Sequence, residues 1–235
     1  MIVKKLTVPF VNEHILKNST KCWLASATIS EAGFNFVNDR LPKACERKLL
    51  TGLHLPTPPK LLRQILEQDK ALIEMKIFSE NFFHPKVYIF DTQTESYGFI
   101  GSGNFTIGGF SKNEELAYMI QDAKQVQDLK DWFEGYFTKS KPLSKEIIEA
   151  YEKVYPSLKE KEKEVRREVQ KISDIITGKF NWDNFDLSRQ YFVRSDYQTF
   201  ESTKAGLTTP EVGEERLHVH RKLMRLHDDI KDELH

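Results

Sequence analysis

Short β-type runs alternate with amphipathic helical stretches along residues 1–139, and this interleaving most limits what the chain can fold into. Residues 21–30 (Lys-Cys-Trp-Leu-Ala-Ser-Ala-Thr-Ile-Ser) read as a buried strand, and residues 71–78, 85–91, 97–101 and 115–120 read as further strands. Residues 2–8 alternate weakly, as an edge strand does, and residues 49–53 form another short run. Residues 12–18 and 39–48 have helical character. Thr57-Pro58-Pro59 is a start signal for a helix over residues 60–68, because proline suits a helix's first turn. Residues 122–136 carry Val126, Leu129, Trp132, Phe133 and Tyr136 at helical spacing, a face suited to packing on a sheet. The expectation is an α/β domain over residues 1–139.

Beyond Lys139 the texture changes, and residues 140–235 read as a separate, mainly helical region. Residues 143–155 are amphipathic and should stop at Pro156. Residues 158–176 are dense in Lys, Glu and Arg, with Leu158, Val165, Val169, Ile172 and Ile176 at gaps of seven, four, three and four. That spacing fits either a helix laid on a partner, as a short coiled coil, or a solvated helix docked on its own domain. Residues 180–200 are rich in aromatics without periodicity, residues 206–213 are loop-like, and residues 216–234 form a final amphipathic helix. The aromatics are expected in a core rather than stacked on unpaired bases.

Lys+Arg and Asp+Glu are both 35, so net charge does not announce a nucleic-acid partner, although a local basic groove is enough to hold phosphates. Arg40, Lys43, Arg47 and Lys48 are interrupted by acids and read as a solvated helix face. Cys22 and Cys45 have no metal-binding spacing and read as buried thiols in a reducing compartment. His218 and His220 flank Val219 within a helical pattern, which splays them about 200° apart and makes them surface residues rather than metal ligands. No run is long enough to span a membrane, so a cytoplasmic location is expected.

One stretch carries chemistry: His84-Pro85-Lys86-Val87-Tyr88-Ile89-Phe90-Asp91, followed by Gly101-Ser102-Gly103-Asn104. On a strand, side chains alternate, so His84 and Lys86 share a face with Tyr88 and Phe90. Asp91 points the other way, which suits a structural partner better than a catalytic acid. Ser102 and Asn104 offer a hydroxyl and an amide to phosphate oxygens, on a loop small enough for close backbone approach. A short helix beginning at Asn104 would add backbone donors. Glu115, at the start of the next strand, could accept a hydrogen bond from the second nitrogen of His84 and fix its tautomer.

These residues, H-x-K-x4-D, then G-S-x-N, then N-x-E, resemble the phospholipase D superfamily over about residues 1–139, most strongly from His84 to Leu116. The resemblance implies a mixed β-sheet flanked by helices, with a mainly helical C-terminal extension. It implies a metal-independent phosphodiesterase with no cofactor, in which His84 is the nucleophile. Lys86, Ser102 and Asn104 would bind phosphate, and Glu115 would orient the histidine. Nine residues separate Asp91 from Gly101, more than the family's usual spacing, which a lengthened hairpin at residues 91–97 accounts for. Family enzymes oppose two such motifs, and this chain has one. The resemblance therefore implies a homodimer with the two His84 side chains near a two-fold axis.

By analogy with short single-motif relatives, the expected substrate is nucleic acid, DNA in preference to RNA, in a nuclease of the restriction or phage-defence kind. The C-terminal region would serve dimerisation, substrate positioning or docking of a protein partner. Two alternatives belong to other classes. A phospholipid-directed hydrolase or transferase needs an apolar rim beside the site, and no exposed apolar run in the sequence would serve. A non-catalytic interaction module would use the site as a binding pocket.

Overall fold

The alternating segments pair into one eight-stranded mixed sheet in the computed structural model, which describes residues 1–5 and 7–177. Along the chain the strands are β1 (Ile2–Val3), β2 (Ser19–Ser26), β3 (Glu46–Thr51) and β4 (Ile73–Ile77), then β5 (Lys86–Thr92), β6 (Ser96–Gly101), β7 (Ala117–Ile120) and β8 (Lys141–Pro142). Their order across the sheet is β1-β7-β6-β5-β2-β3-β4-β8. The helices are α1 (Glu31–Asn38), α2 (Pro59–Leu66), α3 (Ala123–Lys139) and α4 (Lys145–Ile176). β2, β3 and β4 run parallel, and α1 and α2 supply the crossovers that parallel neighbours require. The remaining pairs are antiparallel, including the β5–β6 hairpin, whose register pairs Asp91 with Ser96 and Val87 with Ile100. The fold is the expected α/β arrangement.

Two cores result from strand alternation. On one face Trp23, Ala25, Leu50, Val87 and Ile89 pack with Val126, Phe133 and Phe137 of α3. On the other, Leu24, Leu49, Tyr88, Phe90 and Phe99 pack with Phe34 of α1, Leu61 and Leu62 of α2, and Ile148 and Tyr151 of α4. Residues 1–163 form one compact unit. Cys22 and Cys45 are buried thiols, and burial together with the neighbouring Cys45 pushes the Cys22 thiol up.

Three local expectations are corrected. The helix expected at residues 39–48 lies earlier, as α1, because Ser30 caps it by accepting from the Gly33 amide at 3.0 Å. Arg47 and Lys48 belong to β3 instead, where pairing on both sides outweighs the helical preference of a charged segment. The basic residues therefore form no single face: Arg40 covers the Phe36 ring, Arg47 is buried against Asn38, and Lys48 pairs with Glu134. Residues 115 and 116, expected on a strand, precede β7.

The third correction is Pro156, which does not end its helix. Tyr155 and Leu158, on either side of it, both pack against the core and carry the helix across. Pro156 itself lies on the exposed side, where water can satisfy the carbonyl its missing N–H leaves unpaired. Further along α4, Val165, Val169, Ile172 and Ile176 are exposed. No described helix is long and apolar enough to cross a membrane. The expectations for residues 180–200, 206–213 and 216–234, including His218 and His220, lie outside the described residues.

Candidate active site

The site forms where β5 begins and β6 ends, at the same end of two paired strands. Phe83 anchors the approach to β5. It is buried against Phe78 and Tyr136, and alternation then turns Phe82 and His84 outward together. His84 is exposed, whereas Lys86 is buried with only 7% of its surface open. The Lys86 ammonium lies 2.8 Å from Nδ1 and 2.9 Å from Nε2 of His84, and donates to the His84 carbonyl at 2.8 Å. Burial, and then the charge of Lys86, hold the His84 imidazole below the usual histidine range. Burial lowers Lys86 as well, opposed by the negative charge of Glu115.

The loop after β6 carries Ser102 and Asn104. Its path is set by close backbone packing: a side chain on Gly103 would meet the Gly109 carbonyl oxygen at 2.5 Å, and one on Gly109 would collide with the Asn104 backbone. Two buried residues, neither singled out by sequence motif, hold the loop from below. Tyr88 donates its hydroxyl to the Gly103 carbonyl at 2.7 Å. Ser26, fully buried and paired with Lys86 across β2 and β5, accepts from the Phe105 amide at 2.8 Å and stands 3.5 Å from Asn104 Oδ1. Tyr88 is recognisable in the sequence as a neighbour of Lys86 on the same strand face. Ser26 carries no signal there beyond being a small polar residue within a buried strand.

Ser102 and Glu115 meet directly. Ser102 donates its hydroxyl to Glu115 Oε2 and accepts from the Leu116 amide at 3.1 Å, while Asn113 donates to Glu115 Oε1 at 3.1 Å. Among the described residues no hydrogen bond joins Glu115 to His84; Lys86 is the group on the imidazole. The helical turn expected to begin at Asn104 comes later, at Gly108–Lys112, and the Gly109 and Phe110 amides are already bonded to Thr106. Asp91 faces α3, whose Lys130 binds its carboxylate together with the Ser96 hydroxyl of β6. Among the described residues no three His, Cys, Asp or Glu side chains gather in one place. A cavity of about 280 Å³, lined by Ile65, Met75 and Leu143 among others, involves none of these groups.

Beside Ser102 the sheet also presents an apolar surface that no single stretch of sequence reveals. Ile2, Tyr118 and Ile100 are register partners across β1, β7 and β6, and all three are exposed, as is Leu116. The expectation that no apolar rim adjoins the site is therefore corrected: pairing of three strands assembles it from isolated residues.

A family model described as "Cardiolipin synthase, PLD-like domain" matches residues 15–137, which span β2 to α3 and every residue of the site. No curated protein matches the chain in sequence. Among solved structures, Nuc from Salmonella typhimurium, a phospholipase D family member, is 15% identical, with 55% of this chain and 86% of that one covered, at a TM-score of 0.43. NucT from Helicobacter pylori is 10% identical over 60% of this chain and 97% of that one, at 0.44. The phosphatidylserine synthase of Haemophilus influenzae Rd KW20 is 10% identical over 68% of this chain and 45% of that one, at 0.46. With the PLD-like domain model matched over more than half of its length, the chain belongs to the phospholipase D superfamily.

Proposed function

We propose that this chain is a metal-independent phosphodiesterase that cleaves nucleic acid, at a site completed by a second copy of itself. The observation that carries the reading is the buried Lys86 ammonium set against both ring nitrogens of an exposed His84, beside a loop bearing Ser102 and Asn104. The lowered pKa favours the neutral form of His84 that the attacking copy needs. An arriving phosphodiester draws Lys86, Ser102 and Asn104 to its oxygens, which frees the ring and places fixed positive charge where negative charge develops. Glu115, released from Ser102, is then available to the imidazole.

A His84 nitrogen attacks phosphorus, and the P–O bond to the leaving oxygen breaks. That oxygen takes a proton from the second copy's His84, which enters the step as imidazolium and leaves it as neutral imidazole, while the first His84 becomes a phosphohistidine. The second imidazole next removes a proton from water, whose oxygen attacks phosphorus and breaks the N–P bond. Each imidazole thus returns to its starting state, and the net reaction is hydrolysis. One chain offers one such histidine, so the cycle requires two. The exposed Ile2, Ile100, Leu116 and Tyr118 beside Ser102 support the same requirement, as an apolar surface suited to an isologous contact. The same surface also suits a lipid bilayer, which makes a phospholipid substrate the second reading.

The test is cleavage of labelled DNA and RNA in EDTA by wild type, His84→Ala and Tyr118→Asp, with oligomeric state measured by sedimentation. The expected result is EDTA-resistant cleavage by a dimer, lost in His84→Ala, and lost together with dimerisation in Tyr118→Asp. Inertness of the wild type towards DNA, RNA and a bis-phosphodiester reporter overturns the enzyme reading. Cleavage confined to phospholipid replaces the substrate, and a fully active monomer removes the shared site.

A further inference from the structure

Phe82 is a large aromatic that the fold leaves more than half open, at 57% exposure, beside His84 and His54. Its ring stacks on the His84 imidazole at 5.5 Å between centroids and 17° between planes. His54, on the loop after β3, meets the same ring edge-on at 5.4 Å. The neighbouring Phe83 points inward and is 3% exposed, so the loop is anchored, and the position of Phe82 follows from the anchor. The sequence Phe82-Phe83-His84 thus divides its work: one ring holds the loop in the core, and the other is presented outward, flat against the histidine.

We propose that Phe82 is a stacking platform for an unpaired nucleobase next to the phosphodiester held at His84, so that the preferred substrate is single-stranded or locally unpaired nucleic acid. This rests on the phosphodiesterase reading of His84 and names its substrate class. A pile of near-parallel rings is extended by another flat π-system, and nucleobases stack on aromatic side chains regardless of sequence. Bases inside a duplex have both faces occupied, so only an unstacked base reaches the ring. The exposed residues before it, Ser79, Glu80 and Asn81, are polar, so Phe82 stands alone on the loop and is not part of an apolar run suited to enter a bilayer.

The test compares two strands of equal length and charge, an oligothymidylate and a phosphodiester strand of abasic residues, by fluorescence anisotropy at the start of the reaction. Base stacking on one aromatic predicts that wild type binds the oligothymidylate about 5- to 150-fold more tightly than the abasic strand. Phe82→Ala should erase that difference and Phe82→Trp should restore it. Equal wild-type binding to both strands overturns the proposal. So does a Phe82→Ala variant that loses the same factor on both, because the ring would then only prop His84. Phe82-dependent binding to phosphatidylglycerol vesicles, with no base preference, likewise overturns it in favour of lipid. Absence of cleavage of these strands, of RNA and of a bis-phosphodiester reporter overturns the phosphodiesterase reading alone, since the binding comparison still decides the platform.

Discussion

Replacing Asp91 tests whether the motif's aspartate is part of the chemistry or part of the frame. Its carboxylate holds the Lys130 ammonium at 2.6 Å and accepts from the Ser96 hydroxyl at 2.6 Å, with the two charged side chains only 25% and 15% exposed. At an effective dielectric near 20, two charges that close attract by roughly 6 kcal/mol before desolvation is counted. Exposed pairs net about 0.2–1 kcal/mol, and fully buried ones cost about 3–5 kcal/mol when one partner is removed. This pair is mostly covered, so Asp91→Ala should destabilise the chain by about 2–3 kcal/mol, with part recovered when Lys130→Met removes the orphaned charge.

Urea unfolding followed by tryptophan fluorescence is the natural assay. Lys130 lies 4.9 Å over the Trp23 ring, whose indole N–H donates to Glu134, so the probe sits beside the perturbation. Turnover measured on the same samples, below the unfolding transition, should fall far less than for His84→Ala. An Asp91→Asn variant that keeps wild-type stability and loses all turnover would refute the reasoning, because the carboxylate would then act at the site rather than behind it.

Tyr88→Phe keeps the ring packed on Phe105 and Phe110 but removes the hydroxyl from the Gly103 carbonyl. It should cost about 1–2 kcal/mol of stability and lower kcat more than it raises KM, since the loosened loop carries Ser102 and Asn104; unchanged urea midpoints and kinetics would sink it. The His84 imidazole, lowered by burial and by Lys86, should remain neutral below the ordinary histidine value of about 6.5, placing the acid limb of kcat/KM below that pH. In Lys86→Met the ring's NMR titration midpoint should move up, because the variant removes a positive charge that opposes protonation, and a downward shift would contradict the geometry.

Much of the framework is legible in the order of residues. The strands around His84 follow from alternation, α2 from its proline start, and α3 from the spacing of Val126, Phe133 and the residues between. The outward turn of Asp91 away from Lys86 follows from period two alone, and Lys130 is what it meets. Where local pattern misleads, nonlocal pairing or packing decides. Arg47 and Lys48 look helical beside their neighbours and become strand because β2 and β4 flank them. The helix survives Pro156 because Tyr155 and Leu158 are held by the core.

By itself the sequence determined the α/β class, the family and the strand face on which His84, Lys86 and Asp91 each lie, because each depends on residue type and on spacing along one or two strands. Only the tertiary structure decided which of those residues touch. It set Lys86 rather than Glu115 on His84, gave Glu115 to Ser102 and Asn113, and brought Ser26 and Tyr88 under the loop. It also left Phe82 open against the imidazole and joined Ile2, Ile100 and Tyr118 into one surface. The physical reason is common to all of these: local periodicity fixes the face on which a side chain lies, whereas its contacts depend on which distant strand or loop arrives at that face.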